Sequence, residues 1–293
     1  MLNIYEQIDR NKKRSFLLMA GFVVFIVGFI WLVGQIFGSD PSLVFTAVLF
    51  SLFSAFTSFF WGDKIVLALH QAKPANKKEH FDFYTVAENL SLAAQIPLPK
   101  LYVINDPALN AFATGRDPKH AVVCATTGLL QKLDRSELEG VIAHEISHIQ
   151  NFDIRLMTIV SILVGMIVIL SDWLLRGLGR RRRGEEEGGN PLLYALGFLA
   201  LILSPLVAQL IQLAVSRQRE YFADASAVKL TRYPQGLIRA LKTLALSPVP
   251  LSVASPATAH LFIVNPLKQA KLANLFSTHP PIEERIKALE KML

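Results

Sequence analysis

Cysteine is almost absent. Cys124 stands alone among 293 residues, so no internal disulfide can form and no zinc site can be built on cysteine pairs. A GxxxxGK[ST] phosphate loop is also missing, which leaves no recognisable nucleotide-binding module. Nor is there a basic patch interleaved with aromatics. The net charge of +7 and pI near 9.5 come from Lys and Arg lying beside long apolar runs, a distribution that argues against a nucleic-acid surface and for charges flanking a membrane. No internal repeat is visible beyond the pairing of those runs.

Apolar residues, by contrast, are plentiful: 52% of the chain is hydrophobic and the mean hydropathy is +0.38, high for a water-soluble protein. A helix needs roughly 20 apolar residues to cross the ~30 Å hydrocarbon core, and Phe16 to Phe37 and Leu43 to Trp61 both qualify. The first run is too long for a signal-peptide core and has no small-residue cleavage site after it, so it reads as a retained transmembrane helix. The short link Gly38 to Pro41 has no Lys or Arg, whereas Lys12, Lys13 and Arg14 precede the pair and Lys64, Lys73, Lys77 and Lys78 follow it. Residues 1–62 therefore read as a transmembrane hairpin with both ends on the cytoplasmic side.

Residues 63–153 combine a helical pattern near Phe83 to Ala94 with short strand-like runs at Leu101 to Ile104 and Ala121 to Cys124, as expected of a small zincin-like α+β catalytic domain. A third apolar run, Leu156 to Ser171, is marginal in length, and a fourth, Pro191 to Val215, is interrupted by Pro205, Gln209 and Gln212. Residues 154–215 are thus expected to form a second hairpin that either crosses or dips into the membrane. Arg180 to Arg183 in its loop conflict with a full crossing, since the positive-inside rule would place them on the wrong side. Residues 216–293 are helical in pattern, broken by prolines, and complete the catalytic part. The expected fold class is a mostly helical α+β membrane protein with about four transmembrane helices in two hairpins and a small sheet.

The chemistry concentrates in Ser136 to His148, where Asp134 and Glu137 fit a capping box and apolar residues recur at helical spacing. On a helix, His144 and His148 share a face and can point at one ion, while Glu145 sits one position round. That is where a general base must be to take a proton from a zinc-activated water. With 7 His and 13 Glu in the chain, such an HExxH pattern is expected roughly 0.007 times by chance. A catalytic zinc wants a third protein ligand. His70, His80, His120, His260 and His279 are available, but none has a partner at ligand spacing. Glu220 is the better candidate because Asp224, four residues on, could orient a ligand histidine. A plain salt bridge from Glu220 to Arg217 or Arg219 is the competing reading. His144 precedes the third run and Glu220 follows the fourth, so an even number of crossings must separate them.

These residues resemble the HtpX-type membrane zinc metalloproteases, relatives of the CAAX prenyl endopeptidases. The resemblance runs through Asn110-Ala-Phe-Ala-Thr-Gly115, Thr127-Gly-Leu-Leu130, His144 to His148 with Asn151 and Asp153, Glu220 to Asp224, and Thr278-His-Pro-Pro281 with Arg285. It implies one Zn2+ per chain on His144, His148 and Glu220, with Glu145 as general base and Asp224 supporting a ligand from behind. It further implies His279 and Arg285 near the cleft as oxyanion stabilisers. Asn110, Ala111, Phe112 and Ala113 would line the cleft as a strand edge that binds extended substrate. The implied role is ATP-independent removal of misfolded or damaged membrane proteins, at a bacterial inner membrane with the site on the cytoplasmic side. The implied partners are polypeptide substrates and the lipid bilayer, with no nucleic acid or nucleotide. Two other readings stand beside it: a CAAX-type endopeptidase acting on lipidated tails, and a non-catalytic scaffold with structural zinc, for which a fourth protein ligand would speak.

Overall fold

The computed structural model describes residues 4–37, 42–181, 217–247, 249–252, 255, 257–266 and 280–292. The fourth apolar run, the loop from residue 182 and His279 lie outside them.

The two apolar runs near the N-terminus form helices α1 (Ile4–Phe37) and α2 (Ser42–Leu69), which pack together. Both outlast the expected spans. α1 begins well before the apolar run and carries Lys12, Lys13 and Arg14 in its first half, while α2 passes through the expected boundary at residue 62. It continues because Val66 and Leu67 are drawn into the core beneath the sheet. Phe16, Leu17 and Val24 of α1 and Phe45, Leu49, Phe50 and Phe53 of α2 point outward and are exposed, a larger apolar belt than water tolerates on one surface. Val44–Leu69 is long and apolar enough to cross a membrane. On the buried side sit small hydroxyls, Ser51, Ser54 and Ser58, each hydrogen-bonded to a carbonyl of its own helix. Small residues of this kind let helix backbones approach closely in lipid.

A four-stranded sheet follows, in the order β1-β2-β4-β3, built from Lys73–Pro74, Lys100–Ile104, Ala111–Gly115 (β3) and Ala121–Thr126 (β4). β2 and β4 run parallel and the other pairs antiparallel. Alternation along the strands sends Leu101, Val103, Ala111, Ala113, Val123 and Ala125 into one core, with α3 (Phe81–Ala93) and α5. The opposite face, with Phe112, Val122 and Cys124, meets Val66, Met157, Ile162, Leu261 and Phe262. Both faces are covered, which explains why these strands read as unbroken apolar runs.

After a short helix α4 (Thr127–Lys132), α5 (Arg135–Gln150) starts on the expected capping box, with the Asp134 side chain accepting from Glu137 N–H and Glu137 accepting from Asp134 N–H. Phe152 adopts a left-handed φ of 59°, and the next helix, α6 (Asp153–Arg181), leaves at 84° to α5. The third apolar run lies in α6, and Leu156, Ile159, Val160, Leu163, Val164 and Ile167 are buried against α1, α2 and β3. Its marginal length is that of a helix whose first half lies inside protein. The remaining α-helices among the described residues are α7 (Arg217–Thr231), α8 (Pro234–Leu246) and α9 (Ile282–Glu290). α7 and α8 pack on α5.

The α5–α8 contact depends on glycine. A Cβ on Gly140 would lie 2.6 Å from the backbone N of Leu237 and 2.7 Å from its Cα, too close for either helix to stay in place. Gly140→Ala is therefore expected to lower stability by about 1–3 kcal/mol, measured by thermal unfolding in detergent. Gly21→Ala, where a Cβ meets nothing within 4 Å, should change it by less than about 1 kcal/mol.

Candidate metal centre

α5 turns Val141, Ile142, Ile146 and Ile149 to the core and leaves His144, Glu145 and His148 together on another face, all buried. α7 crosses that face with Ala223 and Ala227, small enough for close approach, and brings Glu220 and Asp224 down beside the histidines. His144 Nε2 and His148 Nε2 stand 3.2 Å apart. Glu220 Oε2 lies 3.7 Å from the first and Oε1 lies 3.5 Å from the second. Ligand atoms about 2.05 Å from a tetrahedral zinc are separated by about 3.3 Å, so the triangle has the dimensions of a zinc site. Among the described residues this trio is the one group of His, Cys, Asp and Glu that converges tightly enough to hold an ion.

The rear of each imidazole fixes what its front can do. His144 Nδ1 is 2.9 Å from Asp224 Oδ1, and His148 Nδ1 is 3.0 Å from Asp153 Oδ2. With both rings neutral, as a bound metal would have them, each donates its one N–H to a carboxylate and both Nε2 lone pairs face Glu220. Three buried acceptors aimed at one point need a cation. Counted with the imidazoles neutral and the carboxyls ionised, as in a metal-bound site, Glu145, Asp153, Glu220 and Asp224 are four buried carboxylates, and among the described residues Arg285 and Arg219 stand beside them, a balance that favours a divalent cation over a neutral ligand. The residues fit the metal that the sequence pattern implies.

Arg285, wholly buried, forks onto Asp224 with Nε 2.9 Å from Oδ2 and Nη2 2.6 Å from Oδ1. Nη1 donates to the Ile263 carbonyl at 3.3 Å and lies 3.7 Å from Glu220 Oε2. The guanidinium thus stands behind the ligands. Arg285, expected near the cleft as an oxyanion stabiliser, has its guanidinium engaged with Asp224 and close to Glu220. Burial tends to raise the carboxyl of Asp224, yet Arg285 and the His144 hydrogen bond hold it below its ordinary range. Burial, reinforced by the charge of Arg285, keeps His144 below its usual value. His148 goes the other way: burial alone would lower it, but Asp153 and Glu220 push it up to about 9. Burial raises Glu145 to about 7, against the pull of His148.

β3 lies along the site, and the Ala113 backbone N–H is near enough to Glu145 to draw its pKa down against the effect of burial. The four residues expected to bind substrate, Asn110 to Ala113, are buried, and the strand edge already has a partner. Ile263 N–H donates to Ala111 O at 3.0 Å, Phe262 bridges Phe112, and the Asn110 amide bonds the Val264 carbonyl at 2.8 Å. Further along, Gly115 N–H donates to Thr158 Oγ1 at 3.1 Å. The chain's own segment 257–264 lies along that edge.

Of the other histidines, His70 bonds Thr258 and His260 sits between Ser161 and the Met157 carbonyl, while the more exposed His120 bonds Asp117. Among the described residues no other histidine joins the ligand trio. Asp153 is the site residue whose role spacing does not show. It is five residues past His148, off the ligand face of any continuous helix, and reaches back because the chain turns sharply at Phe152. The interrupted polar stretch Asn151-Phe152-Asp153 is the only trace of that turn in the sequence.

A family model described as Peptidase family M48 matches residues 78–293. Curated relatives named "Protease HtpX homolog" match nearly end to end. That of Ligilactobacillus salivarius is 43% identical over 99% of this chain and 100% of its own length, and that of Dictyoglomus thermophilum is 46% identical over 98% and 94%. The crystal structure of S. mikatae Ste24p shares the fold, with a TM-score of 0.53 at 22% identity over 98% of this chain and 67% of that one.

The proton balance gives a test. For both Glu145 and His148 the folded pKa lies above the unfolded one, so the folded metal-free chain holds protons that the unfolded chain releases. Stability is then lost as pH rises, to about 7 for Glu145 and between 6.5 and about 9 for His148. Zinc binding needs the same protons gone. The gain in melting temperature on adding Zn2+ to the metal-free protein is expected to be larger at pH 8.5 than at pH 6.5. A gain that shrinks with pH would contradict the site.

Proposed function

The chain belongs to peptidase family M48 and is a metalloprotease, and on that premise we propose that it is a membrane-embedded endopeptidase with zinc on His144, His148 and Glu220 and Glu145 as general base. A zinc ion there supplies Lewis acidity towards water and the scissile carbonyl. Glu145 takes a proton from the attacking water as its oxygen bonds to the carbonyl carbon, and delivers that proton to the leaving amine as the C–N bond breaks. Its elevated pKa suits a group that must both accept and return a proton near neutral pH. Asp224 and Asp153 hold the imidazoles so that Nε2 is the free donor on each. Arg285 holds Asp224 and Glu220 against their mutual repulsion, which leaves His279, implied by the resemblance, as the proposed oxyanion donor.

Substrates are taken to be membrane polypeptides that are misfolded or damaged, cleaved without nucleotide. The support is the apolar belt on α1 and α2, whose burial in lipid would bring the metal centre near the bilayer boundary. The Lys and Arg placed on both outer ends of that hairpin favour a cytoplasmic active site in a bacterial inner membrane. The observation that carries the reading is the trio of buried, convergent ligand atoms with a carboxylate beside it.

For the purified protein in detergent, Glu145→Gln is expected to keep about one zinc per chain and lose at least about 100-fold in casein cleavage. Glu220→Ala should lose the zinc as well. Metal analysis and a gel-based cleavage assay decide it. Undiminished cleavage by Glu145→Gln would sink the mechanism, and zinc-loaded wild type that cuts nothing would favour a scaffold.

A further inference from the structure

The carboxylate that orients His148 has a second customer. Asp153 Oδ2 receives the His148 Nδ1–H, and its other oxygen, Oδ1, accepts a hydrogen bond of 2.7 Å from Asn11 Nδ2. Asn11 lies on α1, 142 residues away, and is 4% exposed. The same amide nitrogen donates to the Asn151 carbonyl at 3.0 Å. Both neighbours are acceptors, so the nitrogen end of the amide must face them, and its two hydrogens are both used. They span the corner where Phe152 takes its left-handed φ and α5 gives way to α6.

That corner is where the geometry of His148 is set. The carboxylate of Asp153 must face back towards α5, and a buried carboxylate with a free oxygen would be costly and could rotate. Arg219 approaches the same oxygen at 3.7 Å, beyond hydrogen-bond distance. Lys12, next to Asn11, sits over the Phe152 ring at 4.6 Å. The N-terminal end of α1 is thus docked on the bend itself.

We propose that Asn11 is a positioning residue for the metal centre: through Asp153 it fixes the rotamer and tautomer of His148, tying zinc retention to the seating of the first membrane helix. The proposal rests on the assignment of His148 as a zinc ligand. Nothing in the sequence around Asn11, a polar residue ahead of an apolar run, announces the link. Ser15 provides the matching control: one turn along α1 and 1% exposed, it donates only to the Asn11 carbonyl at 2.8 Å, within its own helix.

The test is zinc transfer from the full-length protein in detergent to a chromogenic chelator, with Co2+ absorption as a readout of ligand geometry. Asn11→Ala is expected to release zinc about 10-fold faster than wild type and to shift the Co2+ spectrum, as removal of a partner behind a ligand does. Ser15→Ala should match wild type. Asn11→Asp keeps the side-chain shape but turns an oxygen on Asp153, so release should be at least as fast as in Asn11→Ala. If Asn11→Ala does not fold, Asn11→Asp decides alone. Wild-type release in either folded variant, or equal acceleration by Ser15→Ala, would overturn the proposal. A wild type that holds no zinc at all would instead overturn the metal assignment beneath it.

Discussion

Everything around α5 answers one electrostatic demand: buried carboxylates and two imidazole lone pairs are packed together with too few positive charges. Burying unbalanced charge costs several kcal/mol per ion even after relaxation, so such a cluster is neutralised by protons on Glu145 and His148 in the metal-free chain or by a metal ion at its centre, with fixed donors behind it. That demand explains why Arg285 is buried completely, why Asp224 is held ionised, and why each ligand histidine has its own carboxylate. The site is therefore defined as much by the groups that prevent other protonation states as by the three that face the ion.

The demand is met by elements far apart in the chain, and the packing shows how. α5 offers the two histidines, α7, which follows the fourth apolar run in the sequence, carries Glu220 and Asp224, α9 supplies Arg285, and α1 holds the corner through Asn11. Small residues at the crossings, Gly140 against Leu237 and Ala223 on α7, let helix axes close to a distance at which side chains this short can meet. The lipid-facing side of α1 and α2 needs only to be apolar, and so carries the large aromatics.

Much of this was legible beforehand. The HExxH spacing gave the ligand face, since helical periodicity is local and strong, and the capping box marked where α5 begins. Glu220 and Asp224 were within reach because a four-residue step also stays on one helical face. Boundaries were less so. α2 overran residue 62 because the pull on Val66 and Leu67 comes from a sheet that follows it in the chain. The third apolar run looked like a short membrane span, yet its first half is a core helix, and hydropathy alone does not distinguish lipid from protein interior. The role of Asp153, which entered only as part of the resemblance, and that of Asn11 could not be read from spacing for a related reason: both act across the α5–α6 corner, where neighbours are set by a single left-handed residue and not by any period.

The covered edge of β3 has a consequence of its own. A polypeptide that adds a strand there must first evict segment 257–264, and backbone hydrogen bonds lost on one side are regained on the other, so they hardly bias the exchange. What remains is the burial of Phe262 and its neighbours against Phe112, worth about 1.5–3 kcal/mol per large apolar side chain. Only an incoming chain that is both extended and apolar can match that, and a folded protein offers its apolar side chains to no one. Were this edge the substrate's seat, as the resemblance implies, the threshold for entry would be set by the chain's own resting contacts, acting as a competitor of fixed local concentration, and the foldedness of the substrate would be the quantity read.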